Sequence, residues 1–304
     1  MLRPLRRLPG LVAAVGAAAA FAGLLLRPSG HPVTVTTPRG QTAQLAGDGL
    51  YRYDTVFAAA GNTAVDAVVL ALGIPLVVTA WLQHREGSPR GTLLMTGSFG
   101  YLLYVYASYA LGVAYNPLFL AYVTLLATGL WGFLAAFAAV DRSVLAAVAA
   151  DPAVPHRALS RFLFVSAGVT AVVWLQPLVT ALLQGTAPPL LDVYTTPVTV
   201  ALDLAVLAPA AALAGLLVRR REPLGYLIAA PLLVTVVLLL PTISLGTALQ
   251  VAAGVSFTLP EALGPIAGFG VLGVVGARLL AALLRAVPTS APVPPEVAGV
   301  HPNS

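Results

Sequence analysis

The chain has 304 residues, 59% hydrophobic and only 9% charged, with a mean hydropathy of +0.91. Soluble domains carry about a quarter charged residues, so this composition excludes a soluble globular fold and points to a bilayer as the solvent. All sixteen basic residues are arginine, and with neither lysine nor cysteine the chain has no Schiff-base lysine, thiol–disulfide exchange or thiolate metal site.

Residues 1–26 place Arg3, Arg6 and Arg7 ahead of the apolar run LVAAVGAAAAFAGLLL, which reads as a first transmembrane span or a signal peptide. Residues 27–53 form an extracytoplasmic loop. Within it, VTVTT and QTAQL flank Pro38-Arg39-Gly40, the pattern of a short β-hairpin. The second span, 54–82, opens at Asp54 as N-cap and carries Asn62 and Asp66 on one helical face. An ionisable group at depth in a bilayer is a functional-site hypothesis by default.

The third span, 92–112, carries Gly97, Tyr101, Tyr104, Ser108 and Gly112 at helical spacing, a face expected to point into a bundle. Tyr109 and Tyr115 lie nearer the tip and read as interfacial anchors. The corner Tyr115-Asn116-Pro117 returns the chain into the fourth span, 117–139. A short amphipathic segment follows at 140–160. The fifth span, 161–184, holds Trp174, Gln176 and Pro177, and the proline is expected to kink it. Asp203 lies in the sixth span, 197–218. The seventh, 224–250, contains Pro231 and Pro241, and the eighth, 264–287, is glycine-rich and contains Arg278. Residues 288–304 read as a disordered, proline-rich cytoplasmic tail.

The expected fold is therefore all-α: a polytopic transmembrane bundle of eight spans, or seven if the first is cleaved. Its membrane domain, 54–287, contributes seven of the helices. With both termini cytoplasmic, thirteen arginines fall at inner ends and only Arg27, Arg39 and Arg52 outside, which satisfies the positive-inside rule. Asn62, Asp66, Tyr101, Tyr104, Asn116, Gln176 and Asp203 are the candidate ligand-binding residues, lining a pocket that opens outward. Asp66 and Arg278 have similar depth and are a candidate ion pair.

The four histidines, His31, His84, His156 and His301, fall outside the expected spans, which argues against an intramembrane haem, metal or serine-protease site. No Walker loop or metal-ligand spacing occurs, and no metal, cofactor or nucleic acid is expected. The expected partners are the lipid bilayer and a small-molecule or lipid ligand.

The segments GLYRYDTVFAAAGNTAVDAVVL (49–70) and GYLLYVYASYALGVAYNPLFLAYV (100–123) resemble those of uncharacterised bacterial multi-pass membrane proteins. The resemblance implies membrane localisation and a bacterial envelope and brings no activity with it; the expected location is the bacterial plasma membrane. The leading expectation is a binder or transporter, the second a non-catalytic scaffold or sensor, and the third a membrane-embedded enzyme.

Overall fold

The computed structural model describes residues 3–189 and 191–290. After a short 3₁₀ turn, helix α1 (Leu8–Leu25) leads to strands β1 (Val33–Thr36) and β2 (Thr42–Leu45). The strands pair antiparallel, with Val33 opposite Leu45 and Thr36 opposite Thr42. Gly40 takes the left-handed conformation that the tight turn requires, at φ +78°. Helix α2 (Val56–Val68) begins one residue later than a cap at Asp54 would place it. Thr55 is the N-cap, and its side chain accepts from the Ala58 N–H.

A π turn, Val69–Gly73, joins α2 to α3 (Ile74–Arg85). The cause is Pro75, which has no N–H to offer the preceding turn and whose ring crowds it. The ladder widens so that the Ile74 N–H reaches the Val69 carbonyl. The same device recurs between α8 (Val198–Leu202) and α9 (Ala208–Arg219), where the π turn Asp203–Leu207 precedes Pro209. The proline signals at Pro177, Pro231 and Pro241 do not end their helices. Both α7 (His156–Gln184) and α10 (Pro223–Ala252) continue through them.

The remaining helices are α4 (Pro89–Gly112), α5 (Phe119–Ala139), the short α6 (Arg142–Ala150) and α11 (Leu259–Ala286). Among the described residues, seven helical stretches are long and apolar enough to cross a membrane: α1, α2–α3, α5, α7, α8–α9, α10 and α11. Helix α4 is not among them, although its 24 residues match the others in length. It is the most enclosed helix, packed against α3, α5 and α10, so its side chains need not suit lipid. Three of its buried hydroxyls bond within the helix: Thr92 donates to the Ser88 carbonyl, Thr96 to Thr92 and Ser98 to Leu94.

Two apolar cores fill the bundle. One, around α1 to α5, includes Val12, Val69, Phe99, Leu102 and Leu125. The other lies among α6, α7, α9, α10 and α11 and includes Leu145, Leu163, Val218 and Leu283. Helix α10 belongs to both, through Val234 and Leu238 in the first and Leu227 and Leu233 in the second. By contrast α7 turns much of its apolar surface outward, with Val172, Leu182 and Leu183 each more than 60% exposed. The chain is thus a helical, multi-pass membrane protein by length and composition. The tail from residue 291 onward, expected to be disordered, lies outside the described residues.

Candidate functional site

Asp66 is buried near the end of α2, three residues ahead of the π turn. Its Oδ2 accepts from the Tyr51 hydroxyl at 2.6 Å and its Oδ1 from the Tyr109 hydroxyl at 3.3 Å. Tyr109 also bonds the Asn62 backbone carbonyl at 2.9 Å. Tyr109 packs edge-on against the rings of Tyr51, Tyr106 and Tyr122, with centroids 6.4, 5.9 and 5.1 Å away. Such edge-to-face contacts are favourable geometries for aromatic pairs. The carboxylate therefore sits in a cage of phenols drawn from the turn before α2, from α4 and from α5.

Helix α1 closes the cage. A Cβ on Gly23 would overlap Asp66 Oδ2 and lie 2.7 Å from its Cγ and 3.1 Å from the Tyr51 hydroxyl oxygen. Only glycine lets α1 lie this close to the carboxylate.

Two expectations are corrected here. Tyr109 is not an interfacial anchor: it is buried at 3% exposure, whereas Tyr115, six residues on, is 76% exposed. The expected Asp66–Arg278 ion pair does not form, because Arg278 lies on the exposed face of α11 and the carboxylate is bonded to two phenols instead. Similar depth placed the two at one level, but they point to different sides of the bundle.

A second carboxylate occupies the opposite side of α4. Asp203, the first residue of its π turn, accepts from Trp174 Nε1 at 2.8 Å. The Tyr104 phenol of α4 faces the same carboxylate, whose Oδ1 is buried without a hydrogen bond of good geometry. Tyr101, one turn away, is buried between Gly73 of the first π turn, whose Cβ position is 3.1 Å from its ring, and Thr242 of α10. Helix α4 thus presents Tyr109 to Asp66 on one face and Tyr104 to Asp203 on another. The glycine face works as expected: a Cβ on Gly97 would stand 2.7 Å from Val234 of α10, and one on Gly112 3.2 Å from Val198 of α8.

The other candidates separate from these clusters. Gln176 is exposed and lies in a shallow apolar groove with Val172, Leu175 and Val179. It belongs to the outward side of α7, away from the Trp174 indole that meets Asp203. Asn116 is buried but serves the turn between α4 and α5, accepting from the Leu118 N–H at 2.9 Å and donating to the Ala114 carbonyl at 3.4 Å. Asn62 is half-buried and enters the Asp66 cluster through its backbone.

The hairpin end carries a polar assembly of its own. Asp54 is buried, and its Oδ1 accepts from the Ala114 N–H at 3.0 Å and from the Tyr194 hydroxyl at 2.8 Å. Burial pushes its carboxyl up to about 6, against the pull of those two donors. Burial, and then the Asp54 charge, raise the Tyr194 phenol. At the hairpin tip, Arg39 donates to the carbonyls of Asp192 and Tyr194. Asp192 is held at φ +43° in that loop. The hairpin, the 191–196 loop, Asp54 and the α4–α5 corner are consequently one connected cap.

Sequence reasoning missed Tyr51, Trp174 as an aspartate partner, and Gln250, which is buried and donates to the Phe57 carbonyl at 3.1 Å. A proline inside each of two apolar spans, Pro75 and Pro209, was the available signal for the π turns. No protein family, curated protein or solved structure matches the chain, and the site is read from its own chemistry.

Proposed function

We propose that the chain is an eight-span protein of a bacterial plasma membrane, with both termini cytoplasmic, that binds and transports a small molecule or lipid. Asp66 is its proton-binding group. In this reading α4, the third span in chain order, adds to the other seven and carries the chain back between α3 and α5. The single observation behind it is Asp66 itself: a carboxylate enclosed in the bundle, held by two phenols, without a cation among its partners in the described residues. Buried intramembrane carboxylates are costly and characteristic of proton relays and solute pathways. The adjoining π turn supports the reading, since such turns recur at functional sites.

A scaffold or sensor role is the second reading, and the closure at Gly23 favours it. With both oxygens occupied and α1 against the carboxylate, the cluster also serves as a lock between α1, α2 and α4.

Native mass spectrometry of wild type beside Asp66→Asn tests the choice. A carrier predicts a bound mass in wild type that the variant lacks, with helicity unchanged. The same bound masses in both proteins, or none in wild type, would sink the carrier reading and leave the lock.

A further inference from the structure

Away from both aspartates, at the end of the bundle opposite the hairpin, a cavity of about 630 Å³ opens between α7 and α9. Its wall consists of His156, Arg157, Ser160, Arg161 and Phe164 from α7, with Arg219 and Arg221 from the end of α9. Four guanidinium groups surround one concavity, and among its described lining residues there is no carboxylate. A preference for arginine at inner ends explains such residues in loops. It does not explain their convergence, because like charges four apart on a helix, as in Arg157 and Arg161, repel one another.

The histidine and serine at the cavity are already partnered and hold its floor in place. His156 is buried, with Nδ1 2.6 Å from the Tyr226 hydroxyl and Nε2 2.8 Å from the Asp151 carbonyl. The buried Ser160 donates to the Gly215 carbonyl at 2.8 Å, joining α7 to α9 beneath the arginines. Arg221 is held at φ +57° and donates to the Ala149 carbonyl at 3.4 Å. Three arginines, Arg157, Arg161 and Arg219, remain for a ligand.

We propose that this cavity is a binding site for a phosphate-bearing anion, presented by the headgroup of an anionic phospholipid. Guanidinium groups match phosphate oxygens with paired, charge-assisted hydrogen bonds. Basic pockets between spans suit acidic headgroups. The lipid source follows from the wall below the arginines. Phe164 lies three residues deeper than Arg161, and one turn further Gly168 faces open space with nothing within 4 Å of its Cβ position. The exposed Val165, Val169 and Val172 continue that apolar track along α7, a path for an acyl chain. The site goes beyond the carrier reading and does not depend on Asp66.

The test is a titration of the full-length protein in non-ionic detergent with phosphatidylglycerol, phosphatidylcholine and inorganic phosphate, read by native mass spectrometry. Phosphatidylglycerol is expected to bind more tightly than phosphatidylcholine. Arg161→Gln is expected to weaken it by about tenfold, the scale of one lost charge-assisted contact. Arg161→Lys should retain part of the binding, and Arg220→Gln, outside the cavity, should leave it unchanged. Binding of inorganic phosphate with the same arginine dependence, but not of the lipid, would keep the phosphate site and overturn its lipid source. Equal affinity for the two lipids without phosphate binding, or equal weakening by Arg161→Gln and Arg220→Gln, would overturn the site. Circular dichroism of each variant identifies any loss due to misfolding, and in that case the Arg161→Lys and Arg219→Gln proteins decide.

Discussion

The Tyr194 hydroxyl donates to Asp54 Oδ1 at 2.8 Å across 140 residues of chain. This bond fastens the loop after α7 to the start of α2 and, through the Ala114 N–H, to the α4–α5 corner. The cap is therefore sensitive to the charge on one carboxyl. Burial raises Asp54 from 3.8 to about 6, so the folded protein holds this proton more tightly than the unfolded chain does. Its contribution to stability is full below the unfolded value of 3.8 and is lost as pH rises through about 6. By the free energy of a pKa unit the loss is about 3 kcal/mol. Melting temperatures of wild type and Asp54→Asn in detergent should therefore diverge between about pH 4 and pH 6, with the variant showing the flatter curve. Parallel curves through that window would contradict the assignment.

The two phenols at Asp66 should act as a unit. Tyr51→Phe and Tyr109→Phe each leave one buried carboxylate oxygen without its donor, at a cost of about 1–3 kcal/mol. Because both bond the same carboxylate, the double variant should be non-additive by about 0.5 kcal/mol or more. Chemical denaturation of the four proteins measures the coupling, and a strictly additive cycle would show that the phenols act separately.

For Asp66 and Arg278 the expectation is the reverse. No contact joins them, so Asp66→Asn and Arg278→Gln should add within about 0.5 kcal/mol, as independent sites do. A larger interaction in the double variant would restore the ion pair that the structure does not form.

Glycine substitutions separate close packing from open surface. Gly23→Ala drives a methyl group into Asp66 and should destabilise by about 1–3 kcal/mol, the range for overpacking. Gly168→Ala meets nothing within 4 Å, and in a helix interior it should stabilise by up to about 1 kcal/mol. Thermal melts of both variants settle the order. Equal effects would mean that α1 does not rest on the carboxylate.

Much of the fold was legible because its signals are local. Apolar runs of span length and the strands VTVTT and QTAQL mark their own elements, and Asp66 stands out for its charge alone. The partners of Asp66 were not legible, for two physical reasons. Depth along a helix gives one coordinate, and Arg278 agreed with Asp66 in depth while differing in direction around the bundle. Tyr51 belongs to a turn that reads as polar loop, where nothing in the neighbouring residues announces that the chain folds back over α2. Tyr109 was assigned by nearness to a corner, although enclosure by the Tyr51 turn, α2 and α5 decides its environment. Helix α4 is a related case: its hydroxyls lower its hydropathy, and only its packed position explains how it tolerates them.

The Asp66 cage also has an order in time. Tyr51 precedes Asp66 by fifteen residues and Tyr109 follows it by forty-three, so a growing chain makes the carboxylate's first donor before the carboxylate and its second donor well after. The glycine that accommodates it, Gly23, is older still. Both the Tyr51 donor and the glycine that makes room for Asp66 therefore precede it in synthesis, whereas the α4 donor follows it.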